Sequence, residues 1–266
     1  MKQETVSVSV VVPAYESSPT IGRTLTSVME QTSIPREVIV VDDGSIASDE
    51  LATAVEKASS GCHVRVRLHR LDANRGPAAA RNIGWDLASA ESEYVAFLDA
   101  DDRWDPLKLR NQTEWMQGHR DIAWTAHRCR AGKGSMTRHT PSRNQMLSRN
   151  RLLTSNPVAT PTVMIARHVQ SRFREHLRSC EDVMLWLDLL DAGLRGVLLG
   201  QTLATLGRQP TAPGGLTGDL HAMHEGMLSV LQILVDEGRL PSLDHLLFRG
   251  LEDARYARRV ARRLLG

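Results

Sequence analysis

Apolar and polar positions change period several times along the first hundred residues. Val6-Ser7-Val8-Ser9-Val10-Val11-Val12 passes from alternation to a continuous β-branched run before Pro13 stops it, which predicts a strand. Residues 20–31 place Ile21, Leu25 and Val28 at i, i+4 and i+7, the spacing of an amphipathic helix. A short buried strand follows at 37–41 and ends abruptly in Asp42-Asp43-Gly44-Ser45. The pattern then gives a helix at 48–59, a strand at 64–68 with exposed alternate positions, an Ala-rich helix at 77–90 and a strand at 94–98. Four strand–helix alternations predict a parallel, doubly wound sheet.

The second half is less regular. Residues 107–116 read as a helix, 122–128 and 162–165 as strands, and the basic, polar stretch 130–150 between them as a loop or short helices. A strongly apolar helix is expected at 182–192, and helices at 223–235 and 243–264 form a tail. No internal repeat or low-complexity linker divides the chain.

Composition narrows this picture. The chain has 266 residues, 41% hydrophobic and only 4% aromatic, so Val, Leu, Ala and Ile must build the core. Cys62, Cys129 and Cys180 are odd in number and lack a CxxC pair, which argues against a disulfide framework or a zinc site. No signal-like apolar region and no membrane-length apolar run is found, so a cytoplasmic protein is expected, with peripheral contact at the inner face of the membrane left open. Net charge is only +2, yet twelve basic residues between Arg120 and Arg178 face just Asp121 and Glu175. That excess is expected to be solvated surface, or else to attract an anionic acceptor.

Candidate chemistry sits at strand ends, where open parallel sheets bind ligands. Pro13-Ala14-Tyr15-Glu16, Asp42-Asp43-Gly44-Ser45 and Asp99-Ala100-Asp101-Asp102 each follow a predicted strand, and Asn74-Arg75-Gly76-Pro77 follows another. Carboxylates at this density repel one another unless a cation or hydrogen-bond donors intervene. Asp99 and Asp101 are two apart, so in extended backbone both face one way and can share a hard cation with phosphate oxygens. The alternative is an acidic turn, with Asp102 or Asp105 capping the next helix. Asp182 opens an apolar helix, where desolvation raises its basicity and the helix N-terminus lowers it. It reads as a general base or as a plain N-cap, with Glu181 the alternative base.

Val11-Val12-Pro13-Ala14-Tyr15, Val40 to Ser45, Asn74-Arg75-Gly76 with Ala80-Arg81-Asn82, and Phe97 to Asp102 resemble, in order and spacing, the signature of family-2 glycosyltransferases. Arg103 to Leu109 is similar to the continuation seen in bacterial members, and Glu181-Asp182 before Trp186-Leu187 to the catalytic-base motif. Each piece alone is common; the combination, covering residues 6–208, is specific. The resemblance implies a GT-A fold, a Rossmann-like mixed α/β sheet flanked by helices, with a C-terminal helical segment. Residues 1–209 would form the transferase domain, 1–110 binding the nucleotide sugar and 111–209 the acceptor, and 210–266 the tail.

The resemblance further implies transfer of a sugar from a nucleoside diphosphate sugar, a UDP-sugar first, to a hydroxyl of a glycan or lipid-linked acceptor, with inversion and Mn²⁺ or Mg²⁺. Nucleic acid is not among the expected partners. Pro13, Ala14, Tyr15 and Glu16 match the nucleotide-contacting loop, and Asp43 the acid that bonds uracil, while Asp42 orders the turn. Gly76 and Arg81 fall on the donor side, Arg81 near nucleotide or phosphate. Asp99, with Ala100 beside it, matches the ribose-side acid, Asp101 the metal-side acid, Asp182 the base and Glu181 an acceptor ligand or neighbour. Arg208 keeps a later arginine that reaches the diphosphate, but Gly207 stands where an aromatic is usual. A sugar-phosphate nucleotidyltransferase is the first alternative; it needs a Gly-rich basic loop after strand one, and Pro13-Ala14-Tyr15-Glu16 does not supply it. A Rossmann oxidoreductase needs GxGxxG there, and the chain has none. An inactive glycan-binding module is countered by the retained acids.

In the tail, Tyr256, Val260 and Leu264 align at i, i+4 and i+8, with Ala257, Ala261 and Leu265 beside them and Arg255, Arg258, Arg259, Arg262 and Arg263 around the rest. This stripe is expected to pack on the domain and leave the arginines solvated. The alternative is a basic helix lying on an anionic leaflet.

Overall fold

The computed structural model describes residues 4–132, 142–207 and 219–265. The β-branched runs form β1 (Glu4–Ala14), β2 (Ser33–Asp42), β3 (Arg65–Arg70) and β4 (Tyr94–Phe97), all parallel in the order β3-β2-β1-β4. They are linked by α1 (Ser18–Met29), α2 (Ser48–Ser59) and α3 (Pro77–Asp86). The chain steps outward from β1 to β3 and then back to β4. Right-handed crossovers therefore put α1 and α2 on one face and α3 on the other. The reversal opens a crevice at the carboxyl ends of β1 and β4. Strands between two helical layers have no solvent face, so Val10, Val11 and Val12 of β1 and Val38 to Val41 of β2 are fully buried.

The second half continues the same sheet with mixed direction. Its elements are β5 (Arg103–Trp104), α4 (Lys108–Gly118), β6 (Trp124–Ala131), β7 (Gln145–Met146), α5 (Arg149–Ser155), a 3₁₀ turn at Thr160–Thr162, β8 (Met164–Ala166), α6 (Glu181–Asp191) and β9 (Gly196–Leu206). β8 runs antiparallel to β4 and β6 antiparallel to β8, while β9 is parallel to β6 and antiparallel to β5 and β7. Among the described residues this gives one nine-stranded sheet, wholly parallel from β3 to β4 and mixed beyond. The mixed, helix-flanked α/β architecture matches the fold class expected. An aromatic row beneath the sheet ties the halves together: Trp85 to Phe97 at 5.3 Å, Phe97 to Phe173 at 5.3 Å, Phe173 to Trp186 at 6.1 Å and Trp186 stacked on Trp124 at 5.3 Å.

Several local expectations are corrected. β9 was not anticipated, because Leu, Ala and two glycines dilute its β-branched content and pairing with β6 decides the outcome. α3 stops at Asp86, short of residue 90. The stretch expected as loop is entered by β6 and contains β7 and the start of α5, while residues 133–141 lie outside the described residues. Nor is the basic excess simply solvated. Arg172 pairs with Asp86 at 2.9 Å, Arg174 with Asp188 at 3.0 Å, Arg120 with Glu93 at 3.7 Å, and Arg149 with Asp191.

The tail is a helical hairpin, α7 (Leu220–Asp236) and α8 (Ser242–Leu265). Asp219 caps α7 by accepting from the backbone N–H of His221 and Ala222. α7 sits on the chain just before α6: Gly226 lies against Ser179, where a Cβ would come within 2.7 Å of the Ser179 side chain, and Cys180 Sγ donates to the Met223 carbonyl at 3.5 Å. On α8, Tyr256 and Val260 are half-buried and Tyr256 stacks on His224 at 4.4 Å, so this part of the expected stripe packs inward, whereas Ala257 and Ala261 are exposed and the side chains of Leu264 and Leu265 lie outside the described residues. The inward face also buries Glu252, held by Arg255 and Arg259 at 2.6 Å each.

Candidate active site

The loops after β1 and β2 are stitched together at the crevice. Glu16, with φ of +48°, donates its N–H to Ser45 Oγ at 3.0 Å, and its carboxylate accepts from the Ile46 N–H at 2.7 Å. Pro13 and Ala14 close β1, the Ala14 carbonyl accepts from the Asp43 N–H at 2.8 Å, and Tyr15 projects half-exposed. Asp42 orders the turn, accepting from the Ser45 N–H at 3.0 Å and from the Ser48 hydroxyl. Asp43 instead reaches the loop after β3. Its two oxygens accept the backbone N–H groups of Arg75 and Gly76, each at 2.8 Å. Burial raises the Asp43 pKa, and these two hydrogen bonds oppose that.

Gly76 adopts φ of +92°, and a Cβ there would lie 2.8 Å from Arg178 Nη1. The glycine thus lets an exposed guanidinium rest over the same loop, close enough to favour ionised Asp43. Sequence reading missed Arg178, which sits in a basic stretch with nothing in its spacing to mark it.

At the other side of the crevice the acids converge on Arg81. Its guanidinium donates to Asp99 Oδ1 at 2.8 Å and to Glu181 Oε1 at 2.9 Å, and is itself buried. Burial opposes its charge, but Asp99 and Glu181 outweigh burial and hold it protonated. Arg81 is therefore engaged by two carboxylates. Asn82 explains how the later segment arrives: its side chain donates to the Phe173 carbonyl at 2.8 Å and accepts from the Phe173 N–H at 2.9 Å. Asp182 lies one residue into α6, whose cap position is Cys180, so the plain N-cap role is not the one it plays. Its Oδ1 accepts the Val183 N–H at 2.7 Å, and Thr160 Oγ1 stands 3.5 Å from Oδ2. Burial first, and then the negative neighbours Glu181 and Asp99, push its pKa up to about 7.

The acidic turn after β4 is fixed from behind. Thr24 of α1 donates to the carbonyls of Ala100 and Asp102, both at 2.9 Å. Asp102 turns inward and accepts the Gly207 N–H at 2.8 Å; burial and the charge of Asp99 push its pKa up to about 8. Its protonation relieves the crowding of like charge at this turn. Neither Asp102 nor Asp105 caps the next helix, whose cap position is Leu107; Asp105 orders the turn before it by accepting the Leu107 N–H at 2.9 Å. Gly207 is pressed against the turn: a Cβ there would fall 1.9 Å from the Asp101 carbonyl oxygen, so no aromatic fits at this place. Arg208 lies outside the described residues.

Among the described residues no three His, Cys, Asp or Glu side chains gather into a closed metal cage. That suits a cation which takes one or two carboxylates and completes its shell with substrate phosphates. Asp99 and Asp101 offer hard oxygen donors of the right kind, and Arg81 occupies only one oxygen of Asp99.

A family model described as Glycosyl transferase family 2 matches residues 9–177. A Bacillus subtilis protein described as a teichuronic acid biosynthesis glycosyltransferase, TuaG, is 31% identical over 200 residues, spanning 74% of this chain and 77% of that one. The Escherichia coli UDP-Glc:α-D-GlcNAc-diphosphoundecaprenol β-1,3-glucosyltransferase WfgD is 30% identical, over 69% of each chain. An uncharacterized Rickettsia bellii glycosyltransferase is 30% identical, but the match takes in only 27% of its length. Among solved structures, the mannosyltransferase PcManGT from Pyrobaculum calidifontis, in complex with GDP-Man and Mn²⁺, superposes with a TM-score of 0.66 at 18% identity, covering 96% of this chain and 75% of that one.

Proposed function

The chain belongs to glycosyl transferase family 2 and is a glycosyltransferase, and from that premise we propose that it transfers a sugar from a UDP-sugar to a hydroxyl of a glycan or lipid-linked acceptor, with inversion. The bridge from Asp99 through Arg81 to Glu181 carries this reading, because it ties the donor-side acids to the segment bearing Asp182. The relative WfgD bears a UDP-Glc donor and a diphosphoundecaprenol acceptor in its name, which supports both choices.

In this reading the nucleotide lies across the carboxyl ends of β1, β2 and β4. Asp43 and the Pro13 to Glu16 loop face the base, Gly76 gives the backbone close approach, and Asp99 with Ala100 lines the ribose side. Asp182 accepts the proton of the acceptor hydroxyl as its oxygen bonds the anomeric carbon and the bond to the diphosphate breaks. A pKa of about 7 suits that task near neutral pH. Glu181 neighbours the acceptor hydroxyl, and Arg208 meets the diphosphate. Mn²⁺ or Mg²⁺, held by Asp101 and Asp99, supplies Lewis-acid stabilisation of the diphosphate when bound. Arg81 acts through the two acids it orients. Residues 1–110 take the donor, 111–209 the acceptor, and 210–266 form the tail, in a protein working in the cytoplasm.

The test is a donor screen: thermal shift with UDP, GDP, dTDP and CDP, each with Mn²⁺ and with EDTA, followed by turnover of the matching sugar nucleotide. A UDP response above the others is expected. A preferential response to GDP would reassign the donor, and none at all would remove the reading.

A further inference from the structure

The 3₁₀ turn at Thr160–Thr162 carries two threonines that use their hydroxyls differently. Thr162 turns its Oγ1 back to the Ala159 carbonyl at 2.6 Å and closes the turn on itself. Thr160 sends its hydroxyl out of the turn, toward Asp182 Oδ2 at 3.5 Å. The residue is 6% exposed, so bulk water has little access to that contact.

The turn is a fixed mount. Its Pro161 carbonyl accepts from Trp104 Nε1 at 2.7 Å, and its Thr162 carbonyl from Gln112 Nε2 at 3.0 Å. Gln112, on α4, also donates to Thr125 Oγ1 at 3.0 Å, which ties the turn to β6. Trp104 comes two residues after Asp102, so the acidic turn and the Thr160 hydroxyl share one framework. Asp182, by contrast, has few holds. Arg81 is engaged by Asp99 and Glu181, and no ion pair of Asp182 is found among the described residues. The Val183 N–H on Oδ1 comes from its own helix. Among the described residues, Thr160 is the hydrogen-bond donor that reaches this carboxylate from outside α6.

We propose that Thr160 is a positioning residue for the transfer, its hydroxyl aiming Asp182 Oδ2 at the acceptor while the tie to Trp104 keeps that oxygen in register with the donor-side acids. A neutral donor suits this duty. A guanidinium in its place would stabilise the ionised carboxylate strongly and weaken it as a base, whereas a hydroxyl orients it and leaves it more basic. The contact is longer than the usual ~2.7 Å between hydroxyl and carboxylate oxygens. Bonds to catalytic groups are often long before substrate binds and tighten with it.

The inference rests on Asp182 as the base, and the experiment separates the two. UDP release by the full chain is followed from UDP-glucose and UDP-N-acetylglucosamine, with water or a diphosphopolyprenol-linked GlcNAc as acceptor. UDP binding is measured by calorimetry. The variants are Thr160→Val, Thr160→Ser, Asp182→Asn and the double variant of Thr160→Val with Asp182→Asn. Valine replaces the hydroxyl by a methyl group of similar size, so melting temperature and UDP affinity should stay near wild type. The kcat should fall about tenfold at unchanged donor KM, and Thr160→Ser should recover most of it. In the Asp182→Asn background, Thr160→Val should cost nothing further, because the hydroxyl acts only through that carboxylate. Where valine lowers the melting temperature, Thr160→Ala against Thr160→Ser makes the same comparison. A wild-type rate in Thr160→Val beside a slow Asp182→Asn overturns this inference and leaves the base in place. So does an equal loss in both backgrounds, or a serine variant as slow as valine. Turnover that survives Asp182→Asn, or no UDP release by the wild type, removes the base and this inference with it.

Discussion

Arg81 and Glu181 lie a hundred positions apart in the chain, and their side chains form a buried ion pair at 2.9 Å beside the crevice. Removing the guanidinium leaves Glu181 and Asp99 uncompensated. Arg81→Met should cost about 3–5 kcal/mol of stability, read as a lower urea midpoint. Arg81→Lys should recover little, because an ammonium lacks the fork that spans both acids. Adding Glu181→Gln to Arg81→Met should restore part of the loss. A single variant as stable as wild type would show that the pair contributes nothing.

Asp182 offers a split between binding and chemistry. Asp182→Asn should keep the UDP dissociation constant within a few-fold while kcat falls by about 10²–10⁴. If Glu181→Gln loses turnover and Asp182→Asn keeps it, the base is the other acid.

The same residue gives two dependences on pH. As a base it must be ionised, so kcat/KM should rise with pH and level off above about 7. Stability should move the opposite way. A carboxyl raised from 3.8 to about 7 leaves the folded chain with more bound protons between those values. Its contribution is therefore fully present below pH 3.8 and lost as pH climbs to about 7. Asp182→Asn should be more stable than wild type at pH 8 by titration midpoint, and a less stable Asn variant there would contradict the assignment.

Asp101 is tested by metal removal. UDP should stabilise the wild type more with Mn²⁺ than with EDTA, and Asp101→Ala should erase the difference. At a hundredfold excess over Kd the stabilisation amounts to about 2.7 kcal/mol. Equal shifts with and without metal in the wild type would reject the cation at this turn.

Arg178 is tested by nucleotide affinity. Being exposed over Gly76, it should tolerate Arg178→Gln without a change in melting temperature, while UDP binding by calorimetry weakens about tenfold. Unchanged affinity would leave it a bystander.

Which features could be read from the chain follows from their range. β1, β2 and β4 announce themselves as β-branched runs, and Asp43 and Asp99 to Asp102 as acids at strand ends, because both signals are local. Arg178 reaches the crevice only because Asn82 clamps the Phe173 backbone to α3 and Gly76 takes a left-handed turn, relationships no spacing encodes. Lys108 looks like a polar helix start yet is fully buried, its ammonium 3.7 Å above the Trp104 ring. On α8, apolar residues occupy both sides of the helix, and burial of Phe248 together with the stacking of Tyr256 on His224 selects the inward one. β9 hides because Leu and Ala say little about strand, and its partner strand lies far back in the chain.

The seat of α7 on Ser179 and Cys180 has a consequence for building chimeras. The hairpin's footing is the peptide that leads directly into Glu181 and Asp182, so the two are a single exchange unit. A graft that swaps in a hairpin with a side chain in place of Gly226 while keeping residues 177–182 would drive a Cβ to within 2.7 Å of Ser179. A graft that carries both across would bring Glu181 of one parent against Arg81 and Asp99 of the other, and the residue at 178 against Gly76.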